Sequence, residues 1–227
     1  MEKFEPEHAL DTIARYRVTD SQWVPTHFVR LLKLPEEVRT RYDLSSHRRA
    51  IHAAAPCPVP VKRAMIEWWG PIVTEYYAGS EGIGMTLIKA EDWLAHPGSV
   101  GKAIHGRLHV CAPDGSEAKP GEDGLIYFEN DIIPTYHNDP EKTAEAMHES
   151  GWMTLGDIGH VDEEGYLYLT DRKSHMIISG GVNIYPQEIE NLLVTHPAVM
   201  DAAVIGAPDA DLGEKVVAVV QPVDMGA

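Results

Sequence analysis

Three short stretches hold the residues with the clearest chemical potential, and the first is residues 76–82 (YYAGSEG), which follow an apolar run that predicts a strand. An aromatic ring can stack on a purine, small residues let the backbone approach a ligand, and a hydroxyl can bond a phosphate oxygen. The carboxylate of Glu81 can hold Mg²⁺ directly or through water. This set suits a nucleotide, although a turn that binds no ligand could have the same residues.

The second stretch is residues 151–159 (GWMTLGDIG), and the third is residues 168–190 (YLTDRKSHMIISGGVNIYPQEIE). An aspartate between glycines at a strand end, such as Asp157, can accept two hydrogen bonds from vicinal hydroxyls, as ribose requires. A turn-forming aspartate would have the same sequence context. A charged linker before a strand explains Asp171, Arg172 and Lys173 but not the whole third string.

Composition excludes several other kinds of site. The chain has 227 residues, 44% hydrophobic content, a formal charge of -16 and a pI near 5.1. Clustered basic residues drive nucleic-acid binding, so we expect no nucleic-acid partner. Cys57 and Cys111 fit neither a disulfide framework nor a metal spacing, and the 12 histidines form no ligand-spaced pair. No apolar run approaches the roughly 20 residues of a membrane span, so we expect a cytoplasmic protein without a transmembrane segment.

The first third of the chain alternates helical and strand patterns. Helical spacing occurs in residues 7–16, after Pro25 and in residues 60–69, and strands are predicted at residues 51–55 and 72–77. This order is typical of a parallel sheet with crossover helices. We therefore predict a partial α/β subdomain over residues 1–84.

Short apolar runs separated by turn signals indicate a different architecture in residues 85–170. The turn signals are residues 113–115, 122–124 and 163–165, and the predicted strands are residues 107–112, 125–129 and 166–170. A helix is predicted from Pro140 to about His148. These patterns predict a small antiparallel, barrel-like subdomain.

Residues 171–227 indicate a small α+β domain. Strands are predicted at residues 176–179, 199–206 and 215–220, and a helix is predicted from Pro186. Gly180 and Gly181 interrupt the first strand. Because no closing helix follows the last strand, we expect this C-terminal domain to be truncated.

In their order and spacing, the three stretches resemble the signature motifs of the adenylate-forming superfamily, which includes acyl-CoA synthetases, luciferases and peptide-synthetase adenylation domains. Residues 177–186 (IISGGVNIYP) are most similar to the fatty-acyl-CoA ligase branch. The resemblance implies a long- or medium-chain fatty-acid–CoA ligase, AMP-forming. ATP, Mg²⁺ and CoA would be the cofactor and substrates, together with a carboxylic acid, and the reaction would pass through an acyl adenylate.

The resemblance also implies roles for individual residues. Tyr77 would stack on adenine, Ser80 would contact phosphate, and Glu81 would bind Mg²⁺. Asp157 would hold the ribose hydroxyls with help from Arg172, and Asp171 would be the inter-domain hinge. The remaining assignments are a nucleotide-binding wall of Ala53, Ala54, Ala55 and Ala78, and a border of the CoA tunnel at Gly180 and Gly181. Ala78, Ser80 and Ala53 depart from the residues that are usual at these family positions.

Two family segments occur nowhere in the sequence: the Ser/Thr/Gly-rich phosphate loop ending in Pro-Lys, and the late Pro-x-x-x-x-Gly-Lys segment. One charge-stabilising contact can be worth about 10²–10³ in rate, so we expect this chain alone to be inactive. It would then be a fragment that needs a complementing piece or forms a homo-oligomer. Two alternatives remain open. The chain is an inactive remnant that retains an AMP-binding or interaction role, or it transfers the acyl group to a carrier-protein thiol.

Overall fold

Thirteen strands and seven helices are present in the part of the chain that the computed structural model describes, residues 3–223. The helices are α1 (Pro6–Tyr16), α2 (Pro25–Leu32), α3 (Glu36–Arg39), α4 (Val59–Trp69), α5 (Ala90–Ala95), α6 (Pro140–Glu145) and α7 (Pro186–Leu193). The strands are β1 (Asp20–Trp23), β2 (Arg49–His52), β3 (Val73–Ala78), β4 (Met85–Lys89), β5 (Ser99–His105), β6 (Arg107–Cys111), β7 (Gly124–Glu129), β8 (Met153–Val161), β9 (Leu167–Arg172), β10 (Ile177–Ser179), β11 (Val182–Ile184), β12 (Val199–Asp209) and β13 (Gly213–Pro222).

Proline opens most of the predicted helices. α1, α2, α4, α6 and α7 each carry proline in the first two helical positions, where its missing N–H costs no helical hydrogen bond. α6 is shorter than predicted and ends at Glu145 rather than near His148. The chain turns back here, since His148 N–H donates to the carbonyl of Trp152 at 2.8 Å and Met147 bridges to Met153.

The predicted parallel sheet and the predicted antiparallel sheet are one nine-stranded sheet in the order β1-β2-β3-β4-β5-β9-β8-β7-β6. Strands β1, β2 and β3 are parallel, which confirms the crossover prediction, and the remaining neighbours are antiparallel. Strand β5 pairs with β4 on one side and with β9 on the other, joining the two halves. The antiparallel half is therefore an open continuation of the sheet and does not close into a barrel.

Two clusters of buried side chains support this sheet. Helices α1, α2, α4 and α5 pack a first cluster against β1–β3, and its fully buried members include Leu10, Phe28, Met65 and Trp93. The second cluster lies in the antiparallel half, around Ile83, Ile126, Phe128 and Leu167. The strand ends that carry the first two motifs are thus anchored on packed core. A membrane-spanning helix is absent from residues 3–223.

A second sheet of four strands follows, in the order β11-β10-β13-β12. β12 and β13 form a long antiparallel hairpin, both strands extending beyond the predicted residues 199–206 and 215–220. Helix α7 packs against β12. Several large apolar side chains of this region remain exposed, among them Leu192, Ile205 and Val219.

Candidate functional site

A cavity of about 670 Å³ lies where β3 and β9 end, beside the first half of β8 and the start of α7. Strand pairing explains how the motifs meet. Asp157 on β8 is the direct antiparallel partner of Arg172 on β9, although the two are 15 positions apart. Tyr77, near the end of β3, reaches the same cavity from the other half of the sheet. Tyr77, Glu81, Asp157 and Arg172 therefore share one cleft.

Asp157 is the centre of the hydrogen-bonding network in this cavity, and it is only 7% exposed to solvent. Arg172 Nε donates to Oδ1 at 3.0 Å, and the Tyr77 hydroxyl donates to Oδ2 at 2.6 Å. Burial raises the pKa of Tyr77, and the adjacent Asp157 charge raises it further, so the hydroxyl stays a donor. Each oxygen of Asp157 retains a lone pair that a ligand hydroxyl can use.

Glu81 lies at the boundary of this cavity and a second one of about 390 Å³. The Tyr136 hydroxyl donates to Glu81 Oε1 at 3.2 Å. Burial raises the pKa of Tyr136, and the Glu81 charge adds to the shift. Gly79 leaves room for these side chains, because a Cβ at this residue would lie 2.6 Å from Glu81 Oε2 and 2.6 Å from Leu155 Cδ2, and both side chains would have to shift. Ser80 lines the second cavity.

The donor set around Glu81 is compatible with Mg²⁺ under one condition. Residues 3–223 contain no cluster of three or more His, Cys, Asp or Glu side chains that could hold a metal by themselves. Mg²⁺ commonly uses one or two carboxylates and takes its other ligands from substrate phosphates and water. Glu81 fits the role of that single protein carboxylate, with a nucleotide supplying further oxygens.

Three of the four alanines assigned to the nucleotide-binding wall line the cavity. Ala54, Ala55 and Ala78 line it, whereas Ala53 is buried beside it and lines neither cavity. Ala54 has φ +79°, a left-handed conformation that costs a residue with a Cβ about 1–2 kcal/mol. Strain of this kind concentrates at functional sites, and here it lies at the cavity wall.

Asp171 also lines the cavity and connects β9 to α7. Its Oδ1 accepts from the N–H of Arg172 at 2.6 Å, and its Oδ2 accepts from the N–H of Gln187 at 3.1 Å. The side chain thereby accepts from an N–H in the first turn of α7 that has no partner within the helix. Its hinge role stays a prediction.

Gly180 and Gly181 lie away from the cavity. They form the exposed turn between β10 and β11, with φ of +56° and +81°, conformations that glycine adopts without a steric penalty. Their role beside a CoA arm stays a prediction.

Sequence reasoning missed several cavity residues, among them the polar side chains of Glu75, Tyr136 and Lys142. Strand alternation places Glu75 on the same face as Tyr77, so this signal was present in the sequence. Tyr136 and Lys142 lie in and after the irregular segment between β7 and α6, with the Lys142 amino group 4.2 Å from the Tyr136 ring centroid. Only tertiary folding brings them to the site.

Glu75 is also part of a buried charged cluster. Its Oε2 is paired with the fully buried Lys62 of α4 and lies 3.6 Å from His52 Nε2. Burial lowers the pKa of Lys62 and raises that of Glu75. Burial and the Lys62 charge lower the pKa of His52 to about 2, and neither ring nitrogen of His52 has a hydrogen-bond partner among the described residues.

Comparison with known proteins identifies the family. A model described as AMP-binding enzyme matches residues 1–136, more than half of the 227, and one described as AMP-binding enzyme C-terminal domain matches residues 188–226. The chain belongs to the AMP-binding enzyme family. Asp157 and Arg172 lie between the two matched segments, so their assignment depends on the motifs and the geometry.

Three relatives illustrate the similarity. The long-chain-fatty-acid–CoA ligase of Bacillus subtilis (strain 168) is 36% identical over 226 residues, covering 96% of this chain and 39% of that protein. Amide bond synthetase McbA from Marinactinospora thermotolerans superposes with a TM-score of 0.83 at 32% identity, covering 100% of this chain and 47% of that one. o-Succinylbenzoate CoA synthetase from Bacillus subtilis, in complex with the acyl-adenylate OSB-AMP, superposes with a TM-score of 0.81 at 30% identity. The match covers 100% of this chain and 46% of that one. The chain thus spans less than half the length of each of these family members.

Proposed function

We propose that the 670 Å³ cavity binds the AMP portion of ATP and of an acyl adenylate, in an ATP-dependent ligation of a carboxylic acid to CoA. In this reaction the carboxylate attacks the α-phosphorus of ATP, releasing pyrophosphate, and the thiol of CoA then displaces AMP from the acyl adenylate. Tyr77 packs against the adenine, and Asp157 accepts hydrogen bonds from both ribose hydroxyls.

One observation carries this proposal: a buried aspartate is held from both sides, by Arg172 at 3.0 Å and by Tyr77 at 2.6 Å, inside a cavity of nucleotide size. A buried carboxylate is costly unless it is paired and hydrogen-bonded. Here both supporting donors leave lone pairs free toward the cavity, which suits a pair of vicinal hydroxyls.

The phosphate end of the nucleotide would lie toward Ser80 and Glu81, at the boundary of the two cavities. Ser80 donates its hydroxyl to a phosphate oxygen, and Glu81 is the protein ligand of Mg²⁺. When bound, Mg²⁺ neutralises phosphate charge. Gly180 and Gly181 border the CoA arm after the small domain rotates about Asp171. These assignments come from the family resemblance, and the geometry of Glu81 supports its part.

A fatty acid of long or medium chain is the proposed carboxylate. The support is the similarity of residues 177–186 to the fatty-acyl branch and the 36% identity to a long-chain-fatty-acid–CoA ligase. Other relatives are named for o-succinylbenzoate and for amide bond synthesis, so the acyl group and the acceptor need direct tests. A full-length relative of this chain that forms no AMP with ATP, CoA and a panel of fatty acids would show that the substrate class is wrong.

The proposal also includes the domain bounds, the cellular location and the activity of the chain on its own. We keep the division into residues 1–84, 85–170 and 171–227, with rotation of the last about the hinge. A cytoplasmic location and inactivity of this chain alone, with a complementing fragment or second copy restoring turnover, stay predictions. Binding of AMP needs only the cavity described above, and it can be tested on the chain itself.

The test is calorimetric titration of the chain with AMP. Asp157→Asn keeps the shape of the side chain and removes its charge, and it is expected to weaken AMP binding at least tenfold, since hydrogen bonds to charged groups contribute about 1.5–3 kcal/mol. Asp131→Asn, an exposed aspartate outside both cavities, is the matched control and should bind as wild type does. Absence of AMP binding in the wild type, or equal affinity in Asp157→Asn, would refute the proposal.

A second candidate is transfer of the acyl group to a nitrogen or carrier-protein thiol instead of CoA. It is favoured by the TM-score of 0.83 to an amide bond synthetase. Single-turnover assays with a preformed acyl adenylate and either CoA or an amine would separate the two. CoA thioester formation alone would support the ligase.

A further inference from the structure

Tyr136 contacts the acidic residue that the proposed function assigns to the metal. Its hydroxyl is 3.2 Å from Glu81 Oε1, and both side chains line both cavities. The hydroxyl has no other hydrogen-bond partner in residues 3–223. The contact is therefore directed at one oxygen of one carboxylate, at the point where the two cavities meet.

The backbone and ring of Tyr136 are fixed by the start of α6. Its N–H donates to Thr143 Oγ1 at 3.0 Å, and its carbonyl accepts from the N–H of Asp139 at 3.2 Å. The Lys142 amino group lies 4.2 Å from the ring centroid, a cation–π distance. These contacts hold the ring in place without using the hydroxyl, so the hydroxyl is free to act on Glu81.

The other oxygen of Glu81 has a different environment. Oε2 accepts no hydrogen bond within the described residues, and it lies so close to Gly79 that a Cβ there would be at 2.6 Å. One oxygen of the carboxylate is thus occupied by Tyr136, and the other is left without a hydrogen-bond partner among the described residues. This division suits a carboxylate that binds a metal through one oxygen and is hydrogen-bonded through the other.

We propose that Tyr136 is a positioning residue for Glu81: its hydroxyl fixes the carboxylate at the boundary of the two cavities and leaves Oε2 available to the metal of a metal–nucleotide complex. Tyr136 is not itself a metal ligand in this scheme. Orientation by a hydrogen bond to the non-coordinating oxygen is how outer contacts tune metal ligands in proteins. This inference rests on the proposed function, because it assumes that a nucleotide occupies the cavity.

The alternative is that the hydroxyl only stabilises the segment between β7 and α6. The two roles differ in what they change. A positioning role changes the contribution of the metal to nucleotide binding, whereas a merely structural role changes binding with and without metal by the same factor. The informative quantity is therefore a ratio, the dissociation constant of ATP in EDTA divided by that in excess Mg²⁺.

The experiment measures this ratio by calorimetry for wild type, Tyr136→Phe and Glu81→Gln, without carboxylate or CoA. Tyr42→Phe is the matched control, because its hydroxyl also donates to a glutamate, Glu7, at 2.9 Å but lies outside both cavities. Mn²⁺ electron paramagnetic resonance on the same variants gives a second readout at the metal. Thermal unfolding of each variant verifies that it folds.

Tyr136→Phe is expected to lower the ratio about threefold to tenfold, as loss of one hydrogen bond implies, and Tyr42→Phe to leave it unchanged. Glu81→Gln should bring the ratio close to 1, and adding Tyr136→Phe to it should lower the ratio no further. An unchanged ratio in Tyr136→Phe, or a further fall in the double variant, would overturn this inference alone. Failure of the wild type to bind AMP and ATP would instead overturn the proposed function, and the inference with it.

Discussion

Two buried carboxylates, Asp157 and Glu75, use similar partners in opposite settings. Both are nearly sealed from solvent, at 7% and 4% exposed, and each is paired with a basic side chain. The basic partner of Asp157 is Arg172, whose side chain is 59% exposed at the cavity, whereas that of Glu75 is Lys62, at 0%. The pairs therefore differ in whether water or a ligand can reach the cation.

This difference in exposure distinguishes an ion pair that can contact a ligand from one that only stabilises the fold. A buried ion pair rarely adds stability over an apolar pair, but removing one partner leaves an uncompensated charge in the core. The Lys62–Glu75 pair connects α4 to β3, the strand that also carries Tyr77. Asp157 and Arg172 connect two strands at the open edge of the same cavity. We infer that the first pair fixes the strand and that the second pair meets the ligand.

The largest expected effect follows from breaking the sealed pair. Lys62→Met removes the ammonium and leaves Glu75 buried without its partner, and the free energy of unfolding should fall by about 3–5 kcal/mol. Urea unfolding at neutral pH measures it. The double variant Lys62→Met, Glu75→Met replaces both charges by apolar side chains and should recover most of the loss. A single-variant loss below about 1 kcal/mol, the range of an exposed pair, would show that the cluster does not behave as sealed.

His52 gives a pH-dependent test of the same cluster. Its pKa is lowered from 6.5 to about 2 by burial and by Lys62, so the unfolded chain binds a proton between these pH values and the native chain does not. The free energy of unfolding should therefore fall as the pH drops below 6.5, by about 1.4 kcal/mol per pH unit from this residue. His52→Leu should flatten the dependence between pH 6 and pH 5 by that amount in urea unfolding. Parallel wild-type and variant profiles would contradict a buried neutral histidine.

The smallest effect on stability is expected at the open pair. Arg172→Gln should lower the free energy of unfolding by clearly less than Lys62→Met does, because the exposed guanidinium is largely solvated and Tyr77 still donates to Asp157. AMP affinity should nevertheless fall roughly tenfold, since a charge-assisted contact to Asp157 is lost. Arg107→Gln, which removes another exposed arginine that pairs with a carboxylate, Glu129, outside both cavities, is the control for calorimetry and unfolding. A large loss of stability in Arg172→Gln would remove the distinction between the two pairs.

The sequence predicted the helices and the apolar strands well because their signals are local. Prolines at the first turns and apolar residues at helical spacing located α1, α4 and α7, and the alternation of helix and strand predicted the parallel arrangement of β2 and β3. The prediction missed the short helices α3 and α5 and several strands, among them β4, β5 and β11. It also missed β1, whose four residues Asp20–Trp23 include a single buried side chain. Such a strand has no apolar alternation to detect.

The junction of the two sheet halves could not be predicted from local pattern. Strand β5 contains a bulge at Gly101, where φ is +95° and a Cβ would lie 2.0 Å from the carbonyl oxygen of Leu87. The bulge breaks the period-two pattern, and pairing of β5 with residues 167–168 depends on contacts far apart in sequence. The same limit applies to the site. The motif residues were found from their types and order, whereas Tyr136 and Lys142 reach the cavity only through the tertiary path of the segment before α6.

The central claim is that Asp157 binds the two ribose hydroxyls of AMP, and comparison of AMP with 2′,3′-dideoxy-AMP tests it most directly. Calorimetry on wild type should show at least tenfold weaker binding of the dideoxy compound, because both hydrogen bonds to a charged acceptor are lost. In Asp157→Asn the two compounds should bind with nearly equal affinity. Equal affinity of the two compounds for the wild type would contradict the account, since the ribose hydroxyls would then not contact the carboxylate.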